Sequence, residues 1–279
     1  MNASDLTPED RFIGLFVGPT NSGKTVAACS FQEPDPSDKL IKVFDFDGRI
    51  RGLLGAPWIN RNRIKYDYYP PVMNATGISV YTKLNQDFET LLVQCGIGSN
   101  PYSTIVIDSL TAQNFVFIRD ALRLTHGGKN KGGTDKGRMI GTLAMPGPDD
   151  YNFESVACNS VIAFLKSLPA VNIIVTAHII DKYEKVDPDD PYSPSIVTGE
   201  KLSLRDKIAA DILKNFDHKF RFDRKIINGE ERFLVEFRGD FACTSYPNMP
   251  MGKVDITGKN FRDFLRSLTN DPNKSNPVT

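Results

Sequence analysis

The chain contains few residues of the kinds that build disulfide scaffolds. Among its 279 residues are only four cysteines, spread along the chain without a C-x-x-C pair, and three histidines. Secreted domains that depend on disulfides carry cysteine at much higher density. The sequence therefore predicts reduced thiols in a cytosolic protein, at positions Cys29, Cys95, Cys158 and Cys243.

Long apolar runs and a net charge are also missing. No stretch approaches the roughly 18 apolar residues of a membrane-spanning helix, and residues 1–5 lack the basic-then-apolar pattern of a secretory signal. We therefore expect no membrane association. The 34 basic and 34 acidic residues cancel, so whole-chain electrostatics give no evidence for nucleic acid, and any such site must be a local patch.

The chain does have enough apolar sequence for one large α/β domain. Apolar residues make up 40% of it, which suffices for a sizeable core at this length. We expect a single domain over residues 1–279, with a core at about 11–240 and polar tails at 1–10 and 270–279.

The most informative segment is a phosphate-binding loop. Residues 18–25 read Gly-Pro-Thr-Asn-Ser-Gly-Lys-Thr and match G-x-x-x-x-G-K-[ST]. An apolar run at 12–17 precedes the loop as a buried strand and a helix follows it, which is the context that the motif requires. Backbone N–H groups of such a loop surround phosphate oxygens, the lysine contacts the β- and γ-phosphates, and the threonine hydroxyl binds Mg²⁺. The sequence therefore predicts ATP and Mg²⁺ as ligands, with the nucleotide held by Gly18, Pro19, Thr20, Asn21, Ser22, Gly23, Lys24, Thr25 and Val26.

A second part of the site is an aspartate at the end of a short apolar strand. Residues 105–109 read Ile-Val-Ile-Asp-Ser, and open α/β sheets bind ligands at the carboxyl ends of their strands. In P-loop proteins, this carboxylate holds Mg²⁺, so Thr25 and Asp108 are the predicted metal residues. A simpler interpretation, in which Asp108 caps the following helix, is compatible with that role.

Two further strand ends supply candidate catalytic groups. Asp45 and Asp47 follow the second strand, and a general base that orients water must lie near the γ-phosphate. We assign Asp47 to the base and Lys24 to the catalytic cation, and Asp45 to the outer shell of Mg²⁺ or to structure; a solvated turn is the alternative for both carboxylates. His178 closes a buried strand, where it could sense the γ-phosphate, although a lone histidine is often structural.

Hydrophobic periodicity predicts an alternation of strands and helices. Further strands are expected at 41–46, 64–66, 171–177, 219–227 and 232–238, the last two as a hairpin around Asn228-Gly229. Helices are expected at 87–95, 109–124, 151–168, 202–216 and 260–268. Long loops are expected at 127–150 and 181–198, the second of them acidic and rich in proline.

Taken in this order, the motifs resemble the RecA-like ATPase core. Residues 43–49, Val-Phe-Asp-Phe-Asp-Gly-Arg, narrow the resemblance to phage-encoded RecA-like ATPases of the Sak-type annealing group. The resemblance covers about residues 11–240. It implies an α/β P-loop NTPase fold in three αβα layers, with a mainly parallel central sheet and a C-terminal antiparallel hairpin.

The same resemblance implies a function. It implies ATP hydrolysis, binding of single-stranded DNA with annealing or strand exchange, and self-assembly into a ring or filament in the cytoplasm of a bacterial host; a single-strand-binding protein is a further expected partner. The chain departs from the family at two positions. Asp47 stands where the family carries a glutamate, which shortens the reach by one methylene, and His178 stands where it carries a glutamine, which adds a titratable group.

RecA-like cores bind DNA through loops that follow the third and fourth core strands. The first corresponds to residues 127–150, and between Arg119 and Arg138 six basic residues stand against two acidic ones. Glycine interleaved with lysine suits a phosphate backbone, although a merely solvated loop would look similar. The second loop, 181–198, contains an acidic stretch at 181–190 that should repel DNA, although Lys201, Arg205 and Lys207 just beyond the loop could compensate. The DNA-binding candidates are Lys129, Lys131, Lys136 and Arg138.

RecA-like ATPases usually complete their site with a cation from a neighbouring subunit. Lys219 and Arg221, which alternate on the first strand of the predicted hairpin, are the candidates here, and Arg238 is another.

Three other functions stay open. The first is a P-loop motor of the packaging or helicase-loader type that acts on a protein partner. The second is a small-molecule kinase, which the lack of an arginine-rich lid helix disfavours. The third is a nucleotide-gated scaffold that binds ATP without turnover, which Asp47 in place of glutamate keeps open. Only the recombination function predicts that single-stranded DNA raises ATP turnover.

Overall fold

A computed structural model describes the chain over most of its length. The described residues are 11–34, 37–70, 79–96, 100–126, 139–140, 143–144, 146–169, 171–190, 192–237, 241, 250 and 252–270.

Strands and helices alternate along the first two thirds of these residues, and a hairpin, a short strand and a helix close the chain. The strands are β1 Ile13–Gly18, β2 Leu40–Asp45, β3 Ile64–Tyr68, β4 Tyr102–Asp108, β5 Met139–Ile140, β6 Leu143–Ala144, β7 Asn172–Lys185, β8 Ser195–Leu202, β9 His218–Ile227, β10 Glu230–Glu236 and β11 Lys253–Asp255. The α-helices are α1 Lys24–Cys29, α2 Val80–Gly96, α3 Leu110–His126, α4 Pro148–Ser167, α5 Asp206–Leu213 and α6 Phe261–Asn270. Two short 3₁₀ helices span Ile50–Gly55 and Arg61–Arg63.

Within the described residues, nine strands form one central sheet. Their order is β11-β10-β9-β1-β7-β4-β2-β3, and β8 pairs with β7 outside this path. The strands from β9 to β3 run parallel, whereas β10 and β11 are antiparallel to their neighbours. The predicted mainly parallel sheet with a C-terminal antiparallel hairpin is confirmed.

The strand order determines where the candidate site can form. Strand β7 lies between β1 and β4, so one strand separates the phosphate loop from Asp108. Because parallel strands end at the same edge of a sheet, the carboxyl ends of β1, β7, β4 and β2 meet there.

The sheet is covered on both faces, which explains the apolar runs of the sequence. In β1, Leu15 and Val17 belong to the core cluster that contains the buried faces of α2, α3, α4 and α5. Phe16, between them in sequence, belongs to the opposite cluster, with α1 and α6. Side chains alternate across a strand, and a parallel strand buried on both faces needs apolar residues at every position. The three-layer αβα arrangement follows from this pattern.

Several predicted elements need correction. The predicted loop at 181–198 is largely an antiparallel arm, in which β7 continues to Lys185 and pairs with β8 from Ser195. The arm is exposed on both faces, so its sequence lacks the alternation that marks a half-buried strand. The predicted helix at 202–216 is shorter, because Leu202 is the last residue of β8 and pairs with Ile179. Helix α2 begins earlier than predicted, and β11 was missed.

Residues 127–150 fall only partly among the described residues. Strands β5 and β6 form a small antiparallel pair there, and α4 begins at Pro148, where Gly147 N donates to the Asp150 carboxylate at 2.7 Å. Residues 127–138 lie outside the described residues. Within the described part of the chain, no helix combines the length and apolarity that crossing a membrane would require.

Substitution of Phe16 tests the packing that holds β1 in place. Its ring is fully buried, with centroids 5.7, 4.9 and 5.1 Å from those of Phe220, Phe222 and Phe261. We expect Phe16→Ala to lower the free energy of unfolding by about 3–5 kcal/mol because it leaves a cavity where three elements meet. Urea denaturation measures the loss.

The matched control is Phe115→Ala. Phe115 is 53% exposed on α3, so its loss should cost less than about 1 kcal/mol. Equal losses in the two variants would contradict the assignment of Phe16 to the core.

Candidate functional site

The phosphate loop is shaped by its packing against the C-terminal hairpin. A Cβ on Gly18 would lie 2.3 Å from the carbonyl oxygen of Phe222 in β9. Gly23, immediately before α1, has a φ of 90°, and a Cβ there would lie 2.8 Å from the Phe233 ring. Both motif glycines are therefore required by close contacts with β9 and β10, and Gly23 also by its left-handed backbone.

Lys24 is held inside the loop by the loop's own oxygen atoms. Its Nζ donates hydrogen bonds to Gly18 O at 2.9 Å, to Pro19 O at 2.7 Å and to Ser22 Oγ at 3.3 Å. Burial lowers the pKa of Lys24 to about 8, against the opposing charges of Asp108 and Asp47. A bound phosphate would supply the negative charge that these neutral acceptors lack.

Asp108 is a fully enclosed carboxylate shared by two threonines. Thr25 Oγ1 donates to Asp108 Oδ2 at 2.8 Å, and Thr176 Oγ1 donates to Asp108 Oδ1 at 2.5 Å. Burial raises the pKa of Asp108 to about 6, and the charges of Asp47 and Asp45 add to the increase, while both threonine hydrogen bonds oppose it. The predicted metal residues, Thr25 and Asp108, are thus in direct contact.

Asp47 and His178, predicted from strands far apart in sequence, form a pair. His178 Nε2 lies 3.0 Å from Asp47 Oδ2. Burial opposes ionisation of Asp47, but the hydrogen bond and charge of His178 prevail and lower its pKa. Because an ionised carboxylate can only accept, His178 Nε2 carries the shared proton. The other ring nitrogen, Nδ1, is buried and has no hydrogen-bond partner among the residues that the structure describes.

Asp45 has a structural role in the turn after β2. Gly48 N donates to Asp45 Oδ1 at 2.7 Å and Ile50 N donates to Asp45 Oδ2 at 3.4 Å. Burial raises the pKa of Asp45, although these backbone N–H groups favour the charged form. Of the two roles proposed for Asp45, the geometry agrees with the structural one.

The phosphate loop, Asp47, Asp108 and His178 line one cleft of about 200 Å³ at the carboxyl edge of the sheet. Six of the nine predicted nucleotide-binding residues, Asn21 to Val26, line it together with Asp47, Asp108 and His178. Of the other three, Gly18 and Pro19 contribute carbonyl oxygens to Lys24, and Thr20 is exposed.

Sequence reasoning missed several residues at the cleft. Arg49, Arg224 and Phe233 also line it, and Thr176 holds Asp108. A threonine within the apolar run 173–177 was a detectable signal for the last one. The lining by Arg224 and Phe233 depends on the packing of the hairpin against β1, which no local pattern reveals.

Two of the remaining predicted site residues, Lys219 and Arg221, do not line the cleft. Lys129, Lys131, Lys136, Arg138 and Arg238 fall outside the described residues. Lys219 pairs with Leu15, below the loop in the middle of β1. Arg221 is already engaged within its own chain, since its Nε and Nη2 donate to the two carboxylate oxygens of Glu200 at 2.5 and 2.6 Å.

The residues present fit Mg²⁺ as a partner of the nucleotide. Within the described residues, no group of three or more His, Cys, Asp or Glu side chains could hold a metal by itself. Mg²⁺ at phosphate sites takes most of its ligands from water and the nucleotide, and the adjoining hydroxyl of Thr25 and carboxylate of Asp108 supply suitable oxygens. Bound there, Mg²⁺ would neutralise charge on the β- and γ-phosphates.

No protein-family model and no curated protein sequence matches the chain. Among solved structures, a KaiC-like protein from Pyrococcus horikoshii OT3 is similar at 12% identity, with a TM-score of 0.45 and coverage of 90% of this chain and 87% of that one. The RadB recombinase is similar at 12% identity, with a TM-score of 0.41 and 89% coverage of each chain. The flagellar accessory protein FlaH from Methanocaldococcus jannaschii is similar at 10% identity, with a TM-score of 0.41 and coverage of 88% and 84%.

The shifted pKa values of Asp108 and Lys24 predict the pH range of nucleotide binding. We expect a fluorescent Mg²⁺·ATP analogue to bind most tightly between about pH 6 and pH 8. Below that range a proton on Asp108 competes with Mg²⁺, and above it Lys24 loses the charge that attracts phosphate. Fluorescence titrations on both sides of the range measure the two limbs.

Asp108→Asn separates the acid limb from other titrations. This variant should bind more weakly at neutral pH and lose the part of the acid limb that Asp108 contributes, while titration of the nucleotide itself is common to both proteins. An acid limb of unchanged size in Asp108→Asn would show that Asp108 does not control it.

Proposed function

We propose that this chain binds and hydrolyses Mg²⁺·ATP. One observation carries the proposal: a buried lysine inside a phosphate loop, a hydroxyl–carboxylate pair suited to Mg²⁺ and a second ionised carboxylate meet in one cleft. These are the parts of a phosphoryl-transfer site, in which catalysis consists mainly of positioning and charge stabilisation.

Each part has a proposed task. Lys24 contacts the β- and γ-phosphates, and Thr25 and Asp108 hold Mg²⁺ beside them. Asp47 orients the attacking water, since its lowered pKa keeps it ionised as a base. His178 holds Asp47 in place and is near enough to the cleft to respond to the γ-phosphate.

We further propose that ATP turnover is coupled to single-stranded DNA, in annealing or recombination within phage DNA metabolism. The support comes from the sequence: the resemblance to RecA-like ATPases and the basic, glycine-rich strip that includes Lys129, Lys131, Lys136 and Arg138. The same resemblance supports self-assembly into a ring or filament in the bacterial cytoplasm, and a single-strand-binding protein as a further partner.

Measurement of ATP hydrolysis with and without single-stranded DNA tests both steps. We expect DNA to raise turnover in the wild type, and we expect Lys24→Ala to remove turnover while leaving the thermal unfolding transition near that of the wild type. Turnover indifferent to DNA would contradict the coupling. A wild-type protein without any turnover would leave the nucleotide-gated scaffold as the function.

A second candidate function, a P-loop motor that acts on a protein, is favoured by the exposed arm of β7 and β8. Tyr183, Tyr192 and Val197 are 61%, 92% and 55% exposed, and Asp187 and Asp189 lie exposed at the tip. Exposed aromatic side chains are typical of protein interfaces, whereas carboxylates repel a phosphate backbone.

Removal of the negative charges at the tip of the arm tests whether the arm lies beside DNA or is left to a protein partner. If DNA lies beside the arm, Asp187→Asn with Asp189→Asn should raise its affinity for single-stranded DNA several-fold by removing repulsion. Glu89→Gln, an exposed change on α2, is the control and should have no effect. An unchanged DNA affinity in the arm variant, measured by fluorescence anisotropy, would show that bound DNA does not approach the arm and would leave this surface to a protein partner.

A further inference from the structure

Arg49 is an exposed residue that lines the cleft and follows Asp47 by two positions. It lines the cleft together with Lys24, Asp47 and His178, and its Nη1 lies 3.5 Å from Asn21 Oδ1 in the phosphate loop. Its charge adds to the burial that lowers the pKa of Lys24 and to the His178 hydrogen bond that lowers the pKa of Asp47. Among the described residues, Arg49 makes no ion pair with a carboxylate.

The backbone that carries Arg49 is held firmly although its side chain is exposed. Asp45 accepts hydrogen bonds from the N–H groups of Gly48 and Ile50, on either side of Arg49. Gly48 has a φ of 68°, and a Cβ there would lie 3.1 Å from the Tyr68 ring. One turn therefore fixes Asp47 and Arg49 relative to each other, which is the preorganisation that charge stabilisation requires.

Among the described residues, two further arginines near the cleft are engaged by carboxylates. Arg224 also lines it, but its Nη1 lies 2.9 Å from Glu231 Oε1. Arg221 is paired with both oxygens of Glu200, and Asp223 and Glu236 lie nearby. Turning Arg221 toward a nucleotide would break its two hydrogen bonds to the half-buried Glu200 carboxylate, and bidentate pairs of this kind are among the stronger hydrogen bonds. Arg49 can turn to a phosphate without breaking such a pair.

We propose that Arg49 is the cation that contacts the γ-phosphate during hydrolysis, and that it acts within its own chain. The inference rests on the proposed ATP hydrolysis. The water oxygen forms a bond to the γ-phosphorus, and the bond from that phosphorus to the β,γ-bridging oxygen breaks. The water proton passes to Asp47 and then to solvent, and ADP and phosphate leave. Arg49 donates hydrogen bonds to the γ-phosphate oxygens, on which charge accumulates.

Kinetics of three variants test the catalytic role. Arg49→Ala should lower kcat by about 100-fold or more, because an arginine on transferring phosphate acts mainly in the transition state, and should change KM much less. Arg49→Lys should recover part of kcat. Arg51→Ala, an exposed residue two positions on that does not line the cleft, is the matched control and should resemble the wild type.

A binding measurement separates this role from a structural one. ADP with aluminium fluoride mimics the transferring phosphate, so the wild type should bind the pair more tightly than ADP alone. Arg49→Ala should bind ADP like the wild type and lose most of the additional affinity. If Arg49→Ala weakens binding of ADP alone as much as binding of ADP with aluminium fluoride, Arg49 only supports the loop, and the proposal is overturned.

A mixing experiment decides whether Arg49 acts in its own chain. If it reached a neighbouring site, a mixture of Arg49→Ala and Lys24→Ala subunits would restore turnover, because an intact loop could meet an intact arginine. We expect no restoration, and restored turnover would overturn the proposal. An Arg49→Ala protein with wild-type kcat would overturn only the proposed role of Arg49. A wild-type protein without turnover would overturn the proposed ATP hydrolysis as well.

Discussion

Asp108 connects more parts of the site than any other residue described above. Its carboxylate accepts hydrogen bonds from Thr25 at the start of α1 and from Thr176 in β7. Its carbonyl oxygen accepts from Phe46 N at 2.6 Å and from Asp47 N at 3.2 Å. One residue at the end of β4 therefore holds the phosphate loop, strand β7 and the turn that carries Asp47. Burial of this carboxylate is unfavourable by itself, and the two hydroxyl donors keep that cost tolerable.

Lys24 and Asp47, two further charged groups of the cleft, also have hydrogen-bond partners within the protein. Lys24 is satisfied by neutral loop oxygens and Asp47 by His178. The loop oxygens carry no negative charge, so a phosphate is a stronger partner for the Lys24 ammonium. Binding of phosphate therefore gains free energy at Lys24.

Features of the fold and site that neighbouring residues encode could be predicted from the sequence, whereas features that depend on contacts between distant segments could not. The phosphate loop, Asp108 and the Asn228-Gly229 hairpin are encoded by adjacent residues, and the predicted strand ends converge because parallel strands share an edge. The contribution of Thr176 was not predicted, since it depends on β7 lying between β1 and β4, and strand order is a property of the whole sheet. The arm at 179–202 was misassigned because two solvated faces give no alternation.

The arm and the site share one strand. Strand β7 pairs with β4 up to Val175 and with β1 up to His178, whose partner is Gly18 at the start of the phosphate loop. From Ile179 onward it pairs with β8 alone. Ser203 N donates to His178 O at 2.8 Å, and Arg221 binds Glu200 on β8, so the base of the arm is fixed to the sheet next to the Asp47–His178 pair. The cleft and the exposed part of the arm are therefore separated by a few residues of continuous strand. That continuity is a physical reason to expect that the state of the nucleotide and the position of the arm depend on each other.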